Sequence, residues 1–165
     1  TVEYASAPGA QQKPLDENWK KNMDAIGINM TFRKAKWPDL LKESKAGRLQ
    51  MWGLGWSAAM PDADAFFVML YGPNGGQANH SRFNVPEFDR LYERSLAVPD
   101  SPERNALYRD MNRLLLAYAP WRLGVHRIFN HLQHPWVKGY KKHPILYTNF
   151  KYLDLDVAAQ QVAMR

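Results

Sequence analysis

Apolar positions along the first half of the chain alternate between strand-like and helix-like rhythms. Val2-Glu3-Tyr4-Ala5 reads as a short strand, broken by Pro8-Gly9. Leu15, Trp19, Met23 and Ile26 follow at spacings of four, four and three, which predicts one face of an amphipathic helix. Gly27 stands where a helix C-terminus favours a left-handed residue. Ile28-Asn29-Met30-Thr31-Phe32 alternates and predicts a second strand. Trp37-Pro38-Asp39 opens a second helix, with proline in its first turn, and Gly47 closes it. Leu49 to Trp56 is almost wholly apolar, as expected of a third strand covered on both faces. Connections this long between strands predict parallel pairing through right-handed crossovers. The fold class is therefore α/β, an open and mostly parallel sheet flanked by helices.

The second half has a different rhythm. Pro61-Asp62-Ala63-Asp64 leads into a short predicted helix over Ala65 to Tyr71, with an aspartate as its N-cap. Gly72 to Gly76 is a loop. Pro86 to Leu96 predicts a helix with Phe88, Leu91, Tyr92 and Leu96 on one side. Ser101 caps the next helix and Pro102 occupies its first position. That helix carries Leu107, Met111, Leu114, Leu115 and Tyr118, and Pro120 ends it. Trp121 to Phe129 reads as a strand, and Phe150-Lys151-Tyr152-Leu153 is an alternating run. Residues 1–156 are expected to form a single α/β lobe, with 157–165 a ragged tail.

Composition narrows the function classes. The chain has 165 residues, 45% hydrophobic and 23% charged, an ordinary globular balance suited to one domain or one lobe. No apolar run approaches the ~20 residues of a membrane-spanning helix. No basic-then-apolar leader opens the sequence, which places any targeting signal outside it. Cysteine is absent, which excludes disulfides, thiol catalysis and zinc-thiolate sites. The net charge of +6 admits nucleic acid, anionic lipid or an acidic ligand as partners. Lys and Arg are dispersed, however, and no run of them reaches five, which disfavours a basic nucleic-acid-binding domain.

Candidate chemistry concentrates where the third strand ends. Ligands of open parallel sheets bind beyond the carboxyl ends of the strands. That end is Gly53-Leu54-Gly55-Trp56-Ser57, where two glycines permit close approach. Trp56 supplies a flat apolar face with one N–H donor. Ser57-Ala58-Ala59-Met60 is small and uncharged, so its main chain would be within reach of a ligand. The alternative is that Trp56 belongs to the core and the alanines to a tight turn. Gly55-Trp56-Ser57-Ala58-Ala59 also approaches the nucleophile elbow of a serine hydrolase. That elbow needs a helix starting at Ser57, and Pro61 would break its first turns. His131 and His134 lack the glutamate of a zinc helix. Asp62 and Asp64 read more naturally as residues at a helix start than as a paired acid and base. Neither a dinucleotide nor a phosphate loop is present. These residues make no catalytic set, no metal site and no cofactor site.

The ordered series of segments goes further. Trp19 to Gly27 with Ile28-Asn29-Met30-Thr31, then Trp37-Pro38, then Lys45-Ala46-Gly47-Arg48-Leu49 before Gly55-Trp56, resembles the family 5 extracellular solute-binding proteins. These are the oligopeptide, dipeptide and nickel binding subunits of ABC importers. The series continues through Pro61-Asp62-Ala63-Asp64, Asn84-Val85-Pro86-Glu87-Phe88-Asp89, Arg104-Asn105-Ala106-Leu107-Tyr108 and Pro135-Trp136-Val137-Lys138-Gly139-Tyr140. The resemblance implies lobe II of a type II periplasmic-binding-protein-like fold, about a third of a full member, without the N-terminal lobe that forms the other jaw. It implies a hinge strand from about His126, a cleaved signal peptide in the precursor, a periplasmic location and delivery to an ABC permease in the cytoplasmic membrane. It implies no enzyme activity and no cofactor. The solute, small or peptide-like, would meet Trp56, Ser57, Ala58, Ala59 and Asp62, with Asn79 and Arg82 nearby. In peptide-binding relatives an aspartate after the glycine-tryptophan pairs with the ligand's α-amino group. The matching position here is Ala59, so the resemblance implies a solute without a free α-amino group, or one whose amine meets Asp62.

Overall fold

Strands β1 (Val2–Ser6), β2 (Met30–Lys34) and β3 (Met51–Trp52) form a parallel sheet in the order β2-β1-β3. The computed structural model describes residues 1–126, 128, 130–143, 145 and 150–163. Helices α1 (Gln12–Asp24) and α2 (Trp37–Lys45) make the two crossovers. The pairing runs from Val2 opposite Met30 to Ser6 opposite Lys34, whereas β3 adds only Met51 opposite Tyr4 and Trp52 opposite Ala5. Because all three strands are parallel, Ser6, Lys34 and Trp52 end at one edge. That edge is where an α/β sheet leaves room for a ligand.

Two features of the sheet differ from expectation. The third strand is two residues long and does not run from Leu49 to Trp56. Among the described residues β3 pairs only with β1; the last pair is Trp52 opposite Ala5, and β1 itself ends one residue later at Ser6, so the chain beyond Gly53 has no ladder to extend. Gly53, Leu54, Gly55 and Trp56 are accordingly exposed, and even Met51 and Trp52 are only half-buried. The inward side of α1 is also rotated. Leu15 and Ile26 point outward, while Asp16 is buried and Trp19 and Met23 are half-buried. The reason lies in the residues that face the helix. Trp19 stacks on Tyr4 of β1 at 5.9 Å, and Asp16 accepts a hydrogen bond from Ser6 at the end of β1. Lys34, at the end of β2, reaches the same carboxylate.

Helices α3 (Asp64–Phe67), α4 (Pro86–Ala97) and α5 (Pro102–Tyr118) carry the larger core. Phe67, Leu70, Phe83, Phe88, Tyr92, Tyr108, Met111 and Leu115 form one buried cluster. The predicted apolar positions of α5 at 107, 111 and 115 are its buried face, and Tyr118 is exposed. On α4 the inward position at the end is Ser95, not Leu96: Ser95 is buried and its carbonyl accepts from Arg104 of α5. The Ser101 hydroxyl caps α5 by accepting from the Arg104 N–H at 3.2 Å. α3 is shorter than predicted and Ala63 stands at its N-cap. Asp64 lies inside the first turn, where its carboxylate accepts from the Tyr92 hydroxyl at 2.6 Å. A single 3₁₀ turn, Gly72–Asn74, follows.

By packing the chain divides into two compact units. One unit holds Thr1–Trp56 and Ala63–Trp121, the other Ser57–Asp62 and Arg122–Arg165. In the second unit, β4 (Val137–Lys138) pairs antiparallel with β5 (Asp154–Leu155). The strand expected over Trp121 to Phe129 does not form across residues 122–126 and 128, which are exposed and join no sheet; residues 127 and 129 lie outside the described residues. The alternating run at Phe150 is a 3₁₀ turn, Phe150–Tyr152. Residues expected as a tail form helix α6 (Val157–Ala163), entered through Asp156, whose carboxylate accepts from the Ala159 N–H at 3.0 Å. Among the described residues no helix is long and apolar enough to cross a membrane.

Candidate functional site

The carboxyl edge of the parallel sheet is built by the three strand ends and the segment that leaves each of them. After β3 the chain departs from the ladder at Gly53 and presents Trp56 with 49% of its surface exposed. The indole N–H donates to the Ala65 carbonyl at 2.9 Å. This bond fixes the ring against the start of α3 and uses its only donor, so the group left for a ligand is the flat face. Trp56 is therefore a surface residue and not part of the core.

Ser57, Ala58, Ala59 and Asp62 continue from Trp56 in the chain and belong to the second unit. Ser57 and Ala59 are exposed, and Ala58 and Asp62 are half-buried. No helix starts at Ser57, since α3 begins only at Asp64. The strand–serine–helix turn that would activate a hydrolytic serine is thus missing.

Asn79 and Arg82 prove to be builders of the loop beside β3. Asn79 is fully buried. Its amide donates to the carbonyls of Tyr71 at 3.1 Å and Phe83 at 2.8 Å, and its oxygen accepts from the Phe83 N–H and the Ser81 hydroxyl. It offers a solute no surface. Arg82 is exposed but has φ +54° and donates to the Lys45 carbonyl at 2.6 Å, capping the end of α2. Gly47 makes room for it, because a Cβ there would come within 2.3 Å of the guanidinium Nε.

The sequence pattern did not disclose a second aromatic group at this edge. Trp37, the first residue of α2, lies shortly after the end of β2 and is 46% exposed. Its ring lies 5.8 Å from that of Trp52, the last residue of β3. Trp52 in turn meets the edge of His80 at 5.4 Å, and His80 Nδ1 lies 2.7 Å from the hydroxyl of the buried Ser44. Burial, and secondarily the charge of Lys45, hold the His80 imidazole below its usual pKa. The available signal was Trp37-Pro38 placed directly after a strand, which marks an aromatic side chain at the carboxyl edge as well as a helix start.

At the ends of β1 and β2 the charges are internally matched. Asp16 accepts from Ser6 at 3.0 Å and from Gln12 at 2.8 Å, and pairs with Lys34. Burial pushes this carboxyl up, but the hydrogen bonds from Gln12, Lys34 and Ser6 and the Lys34 charge outweigh it and hold the pKa below the usual value. Elsewhere Lys20, Arg33, Arg94 and Arg113 also meet carboxylates. These cations are held in ion pairs with neighbouring carboxylates. His131 and His134 stack on Tyr140 and Trp136. Among the described residues no group of three or more histidines and carboxylates is placed to hold a metal ion.

Comparison with known proteins agrees with this architecture. Residues 1–78 match the bacterial extracellular solute-binding proteins, family 5 middle region. The chain is 32% identical over 140 residues to heme-binding protein A of Haemophilus influenzae, covering 84% of this chain and 25% of that protein. It is 32% identical over 128 residues to di/tripeptide-binding protein 4 of Pseudomonas aeruginosa, covering 75% and 24%. Its fold superposes on the periplasmic binding protein DppA of Helicobacter pylori, solved with the peptide STSA, with a TM-score of 0.74. That match has 22% identity and covers 94% of this chain and 31% of the other. The chain thus spans about a quarter to a third of the proteins it matches. Residues 1–78 thus carry the middle region of the bacterial extracellular solute-binding proteins of family 5, and the relatives matched over the rest of the chain agree with that assignment.

Proposed function

We propose that the protein is the substrate-binding component of an ABC importer, working outside the cytoplasmic membrane. This α/β lobe forms one jaw and a second lobe the other, and a small or peptide-like solute is held between them and presented to the permease. The observation that carries the reading is Trp56, half-exposed four residues beyond the end of β3, with its N–H already bonded to Ala65. Closure of two lobes on the solute supplies the state that a permease can read. An exposed indole face binds by stacking and apolar contact, a mode that tolerates varied cargo. The cargoes for which the relatives are named, heme and di/tripeptides, span that variety.

Cargo chemistry follows from Ala59. A buried ammonium without a counter-charge is costly. The solute therefore lacks a free α-amino group, or has its amine met by Asp62. Native mass spectrometry of the complete protein purified from its host tests the proposal. The expected result is a non-covalently bound small solute that is lost in Trp56→Ala. A protein that carries none, and that binds neither free nor N-acetylated tripeptides, contradicts it.

A further inference from the structure

We propose that His80 is a pH-responsive positioning residue for the solute-gripping edge: its neutral imidazole braces Trp52, and through Trp52 the exposed Trp37, and its protonation loosens both rings. The inference rests on the reading that this edge grips a solute, but it can be tested without one.

The geometry forms a chain from the interior to the edge. Ser44 of α2 is buried, and its hydroxyl donates to the Leu41 carbonyl at 3.3 Å. The same hydroxyl lies 2.7 Å from Nδ1 of His80 and so ties the imidazole to the buried end of α2. The ring then meets Trp52 at 5.4 Å, and Trp52 meets Trp37 at 5.8 Å. Trp52 and Trp37 sit where β3 ends and where α2 begins just beyond β2, so both stand at the carboxyl edge.

The surroundings of His80 suit the neutral form. From α2 the charged neighbour is Lys45, which disfavours a second positive charge, and Ser44 contributes only a hydroxyl. From β3 the neighbour is Trp52, which is uncharged. From its own loop comes Arg82, another cation, whose guanidinium holds the Lys45 carbonyl. A proton on the ring therefore adds charge to a partly desolvated place beside the Lys45 cation. The response belongs to mildly acidic pH, where histidine is the side chain that changes charge.

The complete protein is labelled with 5-fluorotryptophan, and the fluorine resonances of Trp37 and Trp52 are assigned by Trp37→Phe and Trp52→Phe. Resonances are followed from about pH 7.5 to about pH 5, alongside the His80 ring proton. The expected result is a Trp52 inflection, with a smaller one at Trp37, at the midpoint of His80, and that midpoint below the ordinary value of about 6.5. In His80→Gln, which keeps a hydrogen-bonding group without a titration, both inflections disappear. A flat Trp52 resonance, one that tracks another midpoint, or one unchanged in His80→Gln overturns the proposal. Should His80→Gln fail to fold, the wild-type midpoints decide alone. Failure here leaves the receptor reading untouched, because that reading is judged by solute binding.

Discussion

Asn79 and Asp16 show how much of this fold rests on polar groups taken out of water. Asn79 donates to the carbonyls of Tyr71 and Phe83 and accepts from the Phe83 N–H, tying the two sides of its loop together. Truncation strands those groups, and an unmet buried polar group costs about 1–3 kcal/mol. Asn79→Ala should therefore lower unfolding stability by about 2–3 kcal/mol in urea denaturation. Asp16 supplies a pH signature. Its folded pKa is depressed, so its contribution is fully present above the unfolded value of about 3.9 and is lost as pH falls through the folded one. Asp16→Asn should flatten the acid limb of the stability profile below about pH 4 and leave the slope at neutral pH unchanged. An acid limb as steep as in the wild type would show that Asp16 does not produce it. Neither residue could be read from the sequence as a core position. Asp16 falls beside, not on, the apolar stripe of α1, and only the strand ends at Ser6 and Lys34 reveal why it turns inward.

The elements themselves were legible where periodicity was long and caps were explicit. α4 and α5 lie where Pro86, Ser101-Pro102 and Pro120 bound the apolar stripes, since caps and prolines act within one turn and need no tertiary information. Ser101→Ala should accordingly cost about 1 kcal/mol. Ala119 ends α5 in the left-handed region at φ +46°, where a Cβ is disfavoured. Ala119→Gly should stabilise the protein by about 0.5–1 kcal/mol, read as a raised denaturation midpoint. β3 was misjudged because an apolar composition fixes neither pairing nor burial: Gly53 to Trp56 are exposed. Its apolar run continues to Trp56, but its pairing stops at Trp52 opposite Ala5, one residue before β1 ends. The expected strand over Trp121 to Phe129 erred in the same way: it is rich in strand formers, yet strands need partners that a local pattern does not display.

At the scale of the whole molecule, the sequence pattern was enough for a parallel sheet, because crossover length fixes parallel pairing and hence where the carboxyl ends lie. It was not enough to tell edge residues from loop builders. Asn79 and Arg82 have ligand-like chemistry but spend it on the loop and on α2, while Trp37 and Trp52 were hidden in a helix start and a strand. If Ala59 determines the charge of the cargo, restoring a carboxylate there should change the preference. Ala59→Asp in the complete protein should raise affinity for trialanine with a free amino terminus at least about tenfold over N-acetyl-trialanine in calorimetry, a difference of about 1.4 kcal/mol. The central claim is closure of two lobes on a solute. Small-angle scattering of the complete protein, with and without the solute that co-purifies with it, tests this most directly. The radius of gyration is predicted to fall as the site fills; a value that stays constant with the solute demonstrably bound would contradict closure.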